Sequence, residues 1–155
     1  MTSKVHLRLG GAVDHLRLVW QAGETMLESV PFRDDPEGTR YNVLLAVQEM
    51  LTNVLRHGYA GADERPVEVR FEATDRGFSA EIRDDGPPFD PVATDVTAID
   101  CAADAADSMP AESGGYGILI AKMVMDGLDY RREGSQNVLR MSKLVEVPAT
   151  SGTRS

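Results

Sequence analysis

Apolar and polar residues alternate along five short segments of this chain, and the alternation predicts five β-strands. The segments are residues 5–9, 67–73, 78–84, 128–133 and 137–147. The second and third segments are separated by a turn at residues 74–77, and the last two are almost as close. We therefore expect two hairpins.

Three other segments repeat apolar residues at helical spacing. They are residues 12–30, 36–57 and 114–127. In the second helix, Asp35 can cap the N-terminus, Pro36 suits the first position, and Gly58 ends the pattern. The predicted order is therefore strand, two helices, two strands, loop, helix and two strands.

This order predicts an α+β fold, a two-layer α/β sandwich in which a mixed, mostly antiparallel sheet carries its helices on one face. Residues 85–113 contain much Ala, Asp and Pro and predict a long loop, with a short helical piece over residues 96–106. We expect residues 1–147 to form a single domain and residues 148–155 to form a disordered tail.

Composition narrows the classes of function. The 155 residues have a formal net charge of −9, which argues against a nucleic-acid partner because phosphate recognition needs clustered Lys and Arg. A single cysteine, Cys101, excludes a disulfide framework and a cysteine-rich metal site. The sequence shows no apolar run of membrane-spanning length and no signal-peptide pattern, so we expect a cytoplasmic protein that has no membrane partner.

A first polar patch lies on the second predicted helix. Glu49, Asn53 and His57 are four residues apart and share one face, which we expect to lie opposite most of the apolar stripe. An amide oxygen and a carboxylate one turn apart suit Mg²⁺ binding and proton transfer. A solvated helix face gives the same pattern, so the patch alone does not establish a site.

A second patch lies where a strand delivers Asp84 into a turn containing Gly86. The carboxylate could accept a hydrogen bond from an exocyclic amine, and the glycine could let a flat ring approach the backbone. The same two residues also make an ordinary turn.

A third patch consists of Gly114, Gly115 and Gly117 at the start of the third helix. Backbone N–H groups there suit a phosphate, although the glycines could simply begin a helix. The patch is not a P-loop, because no Gly-Lys-Ser/Thr follows, and it is not a dinucleotide fingerprint, because no strand precedes it in a βαβ unit.

The order and spacing of the three patches resemble a known family. EMLTNVLRHGY, DDGPPFDP and GGYGILIAKMVMD are similar to the N, G1 and G2 boxes of the GHKL, or Bergerat, ATP-binding fold that gyrase and histidine kinases share. The resemblance covers nearly the whole chain and is closest to the small bacterial anti-sigma factor serine/threonine kinases.

This resemblance implies ATP and Mg²⁺ as cofactors and assigns roles to residues. Glu49 matches the acid/base group, Asn53 the Mg²⁺ ligand and Asp84 the residue that reads adenine, while residues 85–113 match the ATP lid. The other ATP-binding positions that it implies are His57, Gly86, Pro88, Gly114, Gly115, Tyr116, Gly117, Ile118 and Asn137. Residues 85–113 contain no Lys or Arg, and Lys122 follows the glycines by nearly two turns.

The function implied by the resemblance is that of an anti-sigma factor kinase. Such a protein phosphorylates a Ser or Thr of a small STAS-type antagonist and binds a sigma factor, commonly as a homodimer. The alternative is a nucleotide-sensing protein that sequesters a partner without kinase activity. A complete sensor histidine kinase is not expected, because residues before position 49 leave no room for a phosphoacceptor helix pair.

Overall fold

A computed structural model describes residues 1–10, 15–58, 66–94 and 115–146 of the protein. The elements within these residues are β1 (Ser3–Leu9), α1 (His15–Glu28), α2 (Pro36–Asn53), β2 (Val67–Thr74), β3 (Gly77–Asp84), α3 (Gly115–Val124), β4 (Gly127–Glu133) and β5 (Gln136–Leu144). The predicted order of elements is confirmed. The helical piece expected at residues 96–106 and the tail expected at residues 148–155 lie outside the described residues.

The strands form one sheet in the order β1-β2-β3-β5-β4, and each of its pairings is antiparallel. The predicted α+β fold with a mostly antiparallel sheet is confirmed. The chain leaves β3, passes through α3 to the far edge at β4, and returns inward, so that β5 lies between β3 and β4. Within the described residues, no helix is both long enough and apolar enough to cross a membrane.

The two faces of the sheet differ in polarity because side chains alternate along each strand. One face contributes Phe71, Ile82 and Met141 to a core shared with all three helices. The other face carries charged side chains joined in ion pairs, such as Arg83 with Glu133 at 2.9 Å. The helices therefore cover one face, as predicted.

The N-terminus of α2 is capped as the sequence predicts. Asp35 Oδ1 accepts a hydrogen bond from the Gly38 N–H at 3.2 Å, and Pro36 occupies the first turn. At the other end, the α-helix stops at Asn53 and continues as a π-helical turn over Val54–Gly58. The helical conformation thus reaches its predicted end, but its last turn has π geometry, an irregularity that is frequent at functional sites.

The polar face predicted on α2 is not opposite the apolar stripe. Asn53 is only 8 % exposed and continues a buried row that contains Val43, Ala46 and Met50. A second buried row contains Leu44, Val47 and Leu51. The expectation was wrong for Asn53 because α2 packs against both α1 and α3 and is therefore buried over much of its circumference.

An arginine of α2 holds the C-terminal end of α1. Arg40 Nε donates to Leu27 O at 2.9 Å, and its Nη2 donates to Val30 O at 3.0 Å. Carbonyls at a helix C-terminus lack some of their intrahelical donors and carry partial negative charge, so a cation is favoured there. Arg40 thus joins α1 and the chain that follows it to α2.

We predict that Arg40→Met lowers the free energy of unfolding by about 2 kcal/mol, because hydrogen bonds from a charged donor are lost while the aliphatic stem is kept. Urea denaturation followed by circular dichroism measures the change. Arg8→Met is the matched control: Arg8 pairs with Glu68 on the exposed face of the sheet, and its loss should change the free energy by less than about 1 kcal/mol. Equal losses in the two variants would contradict the role of Arg40.

Candidate functional site

The last core-facing row of the sheet changes from apolar to polar across the strands. In register from β1 to β4, the row contains Leu9, Val67, Asp84, Asn137 and Arg132. Residues directly opposite one another project from the same face of a sheet. Three polar side chains therefore meet at one end of the sheet, on the face that the helices cover.

Asp84 lies at the centre of this polar row and is 5 % exposed. Its Oδ1 accepts hydrogen bonds from the Gly86 N–H at 2.9 Å and from Asn137 Nδ2 at 3.0 Å. The first bond closes the predicted turn between Asp84 and Gly86. Among the described residues we find no donor to Oδ2, which leaves that oxygen available to a ligand.

Asn137 makes hydrogen bonds with both ends of its amide. Its Nδ2 also donates to Pro87 O at 2.9 Å and Gly86 O at 3.3 Å. Its Oδ1 accepts from the Tyr130 hydroxyl at 2.5 Å and from Arg132 Nη1 at 3.0 Å. The same Arg132 atom donates to Gly86 O at 2.8 Å, so the turn after β3 is attached to β4 as well as to β5.

An open pocket lies against the polar row, and the space within its mouth and the adjoining solvent together amounts to about 420 Å³. It is lined by Met50, Asn53, Val54, Asp84, Pro87, Phe89, Pro91, Tyr130, Asn137 and Leu139. Mostly apolar walls with a few converging polar groups are typical of small-molecule sites. The pocket can therefore receive a flat apolar ring whose edge carries a hydrogen-bond donor for Asp84.

The surroundings of Asp84 raise the pKa of its carboxyl above its ordinary value of 3.8. Burial is the main cause, because it disfavours the charged form, and Asp85 adds to the rise. The hydrogen bonds from Asn137 and Gly86 and the charge of Arg132 act in the opposite direction without cancelling it. A carboxyl perturbed in this way within a pocket is characteristic of a functional site.

Glu49 lies outside this pocket lining and packs against the start of α3. A Cβ atom at Gly117 would lie 2.8 Å from Glu49 Oε2 and 3.1 Å from Glu49 Cβ, so a larger residue there would displace the Glu49 side chain or separate the two helices. The N–H groups in the first turn of α3 have no acceptor within their helix, and the helix dipole favours an anion beside them. The carboxylate of Glu49 and the N-terminal end of α3 are therefore neighbours.

The predicted site residues thus fall into two groups. Asn53, Asp84 and Asn137 line the pocket, and Gly86 joins them through its hydrogen bonds. Glu49 and the glycines of α3 form the second group. Because Glu49 precedes Asn53 by one turn of α2, the two groups are adjacent.

The other predicted positions differ in how they could contact a ligand. Pro88 is exposed and does not line the pocket, whereas Pro87 and Phe89 do. The Ile118 side chain is buried in the core, so only its backbone could meet a ligand, and Tyr116 is half-buried near the start of α3.

Three further predicted positions lie at the limits of the described structure. Gly115 is the first residue of α3. His57 lies in the π-helical turn, but its side chain is outside what the structure describes, and Gly114 is outside the described residues.

Sequence reasoning missed several residues that build the site. Tyr130 and Arg132 are two residues apart on β4 and so face the same side. The predicted hairpin of β4 and β5 places Asn137 near them, but nothing in the sequence indicates that β5 also pairs with β3 and so brings all three residues to Asp84. Lys122, which follows the glycines by nearly two turns, donates from its Nζ to Thr94 O at 2.8 Å and thereby joins α3 to the segment after β3.

We predict that Asp84→Asn raises the free energy of unfolding at pH 7 by about 1 kcal/mol, or ~2–4 °C in Tm, because it replaces a buried charge with a neutral isostere. A carboxyl whose folded-state pKa is raised contributes most to stability below its unfolded pKa, and this contribution is lost as the pH rises through the folded-state pKa. The advantage of Asn should therefore be smallest near pH 4 and grow toward pH 7. Thermal melts of both proteins across this pH range measure the difference in Tm. A difference that shrank with rising pH would contradict the raised pKa of Asp84.

The residues of both groups lie within a part of the chain that matches a known protein family. Residues 12–143 match the family profile described as the histidine kinase-like ATPase domain. A comparison with curated proteins gives no match.

One solved structure is similar in fold across most of the chain. It is the crystal structure of the RsbU and RsbW domains of Rv1364c from Mycobacterium tuberculosis, with a TM-score of 0.60 and 14 % sequence identity. The similarity covers 92 % of this chain and 32 % of that one, so the present chain spans about a third of its neighbour. The profile match, which includes both groups of site residues, shows that this chain belongs to the histidine kinase-like ATPase domain family.

Proposed function

We propose that this protein is an anti-sigma regulatory factor with ATP-dependent serine/threonine kinase activity. It transfers the γ-phosphoryl group of ATP to a Ser or Thr of a small STAS-type antagonist and binds a sigma factor, acting in the bacterial cytoplasm as a homodimer. Membership of an ATPase family supports the nucleotide. The resemblance of the three boxes to anti-sigma kinases supports the partners, and the likeness in fold to a chain with an RsbW domain agrees with it.

The observation that carries the proposal is the position of Asn53 on α2. Asn53 lines the pocket together with Asp84, and Glu49 lies one turn before it, against Gly117 at the start of α3. An acceptor for a base, an oxygen for a metal, a proton acceptor and a helix N-terminus for phosphate therefore occupy neighbouring positions. Transfer of a phosphoryl group from Mg-ATP to a hydroxyl can use these four groups in this order.

The pocket accounts for the base. In this proposal Asp84 Oδ2 accepts a hydrogen bond from the amino group of adenine, since Oδ1 is already bonded to Gly86 and Asn137. Met50 and Leu139 supply apolar surface for the faces of the ring.

The residues present fit Mg²⁺ in combination with a nucleotide. Within the described part of the chain, no three His, Cys, Asp or Glu side chains gather in a way that could hold a metal. Mg²⁺ commonly combines one or two protein oxygens with phosphate oxygens and water, and Asn53 can provide such an oxygen. When bound, Mg²⁺ supplies positive charge that stabilises the transferring phosphoryl group.

Glu49 is the proposed general base. Its carboxylate accepts the proton of the attacking Ser or Thr hydroxyl, while the N–H groups at the start of α3 hold phosphate oxygens. Phosphoryl transfer depends mainly on positioning and electrostatics, so the contact between Glu49 and Gly117 matters because it fixes the carboxylate beside that helix end.

We predict that Asp84→Asn weakens ATP binding by at least about tenfold, because an amide N–H would face the donor amine of adenine in place of an oxygen. Isothermal titration calorimetry with ATP and Mg²⁺ measures the Kd, and the stability expected of this variant separates lost binding from unfolding. Asp85→Asn is the control, because it removes the neighbouring exposed carboxylate and should change the Kd by less than about threefold. An unchanged Kd in Asp84→Asn would exclude the adenine contact.

We predict that Glu49→Gln lowers phosphoryl transfer by about 100-fold or more and changes the Kd for ATP by less than about threefold, because a general base acts in the chemical step. The assay follows label from γ-labelled ATP into a STAS-type antagonist that carries a Ser acceptor. Glu37→Gln is the matched control, because Glu37 is an exposed residue in the first turn of the same helix. Asn53→Ala should weaken both binding and transfer in the presence of Mg²⁺.

The same assay tests the alternative function. A wild-type protein that binds ATP, labels none of the antagonists offered, and binds a partner with an affinity that depends on ATP would be a nucleotide-sensing binding protein without kinase activity. If Glu49→Gln transferred label to the antagonist at the wild-type rate, another group would accept the proton.

A further inference from the structure

We propose that Asn137 is a positioning residue that fixes the Asp84 carboxylate for base recognition and is itself held by Tyr130 and Arg132. This proposal rests on the adenine contact of Asp84 proposed above. It differs from the expectation in the sequence analysis, which made Asn137 an ATP-binding residue.

The orientation of the Asn137 amide follows from the chemistry of its partners. Arg132 has only donors, so the atom 3.0 Å from its Nη1 must be the amide oxygen. The carbonyls of Gly86 and Pro87 only accept, so the atom that contacts them at 3.3 and 2.9 Å must be the amide nitrogen. The reversed amide would set donor against donor and acceptor against acceptor, so a single orientation is possible.

The amide has no remaining capacity for a ligand. The two hydrogens of Nδ2 are shared among three acceptors, which are Asp84 Oδ1, Gly86 O and Pro87 O. The two lone pairs of Oδ1 receive the Tyr130 hydroxyl and Arg132. A nucleotide that bonded to Asn137 would have to break one of these buried hydrogen bonds, and a buried group left unpaired is unfavourable.

The consequence for Asp84 is a carboxylate that cannot rotate freely. Its Oδ1 is fixed by two donors from different parts of the chain, Gly86 N and Asn137 Nδ2. Oδ2 is then the oxygen that remains for a ligand in the pocket that Asp84 lines. The site therefore reads a nucleobase through one fixed acceptor and selects bases that carry an exocyclic amine at the matching position.

Tyr130 and Arg132 make this arrangement independent of the ligand. Arg132 stands directly opposite Asn137 in the pairing of β4 with β5 and also holds Gly86 O, so it locks the amide and the turn together. Tyr130 lines the pocket and contributes its hydroxyl to the amide oxygen. Both contacts are made by side chains of the protein itself, so the acceptor is preorganised.

The test compares ATP with purine riboside triphosphate, the analogue that lacks the 6-amino group, by calorimetry in the presence of Mg²⁺. Wild type should prefer ATP by at least about tenfold, because the analogue leaves Oδ2 without a donor. Asn137→Ala should reduce this preference to about threefold or less, mainly by weakening the binding of ATP. Tyr130→Phe and Arg132→Met should give preferences between those of wild type and Asn137→Ala. Arg131→Met is the matched control for Arg132→Met, because Arg131 pairs with Glu133 on the opposite face of β4 and should leave the preference unchanged.

The preference ratio separates positioning from general support of the fold. If these residues only supported the fold, replacing them would weaken the binding of both nucleotides equally. An unchanged ratio of affinities in Asn137→Ala, Tyr130→Phe and Arg132→Met would therefore overturn the proposal. Tyr130→Phe and Arg132→Met decide the question if Asn137→Ala does not fold. A wild-type protein without preference for ATP would instead refute the adenine contact of Asp84, which is a failure of the proposed function.

The pH dependence of ATP binding gives a second readout. Asn137 lowers the pKa of Asp84, with Arg132 acting in the same direction and Asp85 against it, while α2 presents the uncharged Met50 and Asn53. Without the amide, the Asp84 pKa rises further, so loss of ATP affinity on acidification should begin at higher pH in Asn137→Ala than in wild type. Loss that begins at the same pH in both proteins would contradict the proposal.

Discussion

The position of β5 between β3 and β4 is the constraint on which the candidate site depends. This order places Asn137 directly opposite Asp84 on one side and directly opposite Arg132 on the other. Had β4 paired with β3, Asp84 would lie at the end of a strand without its buried amide partner. The chain runs from β3 through α3 to the far edge of the sheet, and this connection leaves the place beside β3 free for β5. The same connection therefore determines that Asn137 lies between Asp84 and Arg132.

The polar row also shows that the charge of Asp84 has a cost in stability. Burial of Asp84 raises its pKa, so keeping it ionised works against folding. The remainder of the row, with Leu9 and Val67, is apolar and continues the core. A buried carboxylate at this position breaks a local rule of stability, and such exceptions are usual at functional sites.

The strands, the helices and the cap at Asp35 could be predicted because each depends on residues close in sequence. The two hairpins could be predicted as well, but the pairing of β3 with β5 could not, because it joins strands that are distant in sequence, and so the role of Tyr130 and Arg132 beside Asp84 escaped notice. For Asn53 the predicted surroundings were wrong, since a polar residue on a helix with two buried rows looks the same in sequence as one on a solvated face. Asn137 shows the converse: resemblance identified the position, but only its hydrogen bonds indicate how it acts.

The contact between Gly117 and Glu49 couples the identity of one residue on α3 to the position of a carboxylate on α2. The space that a Cβ atom would occupy at Gly117 lies 2.8 Å from Glu49 Oε2 and 3.1 Å from Glu49 Cβ. A larger residue at position 117 would therefore require the Glu49 side chain to move or the two helices to move apart. The separation of α2 from α3 and the placement of the carboxylate are thus set at the same point.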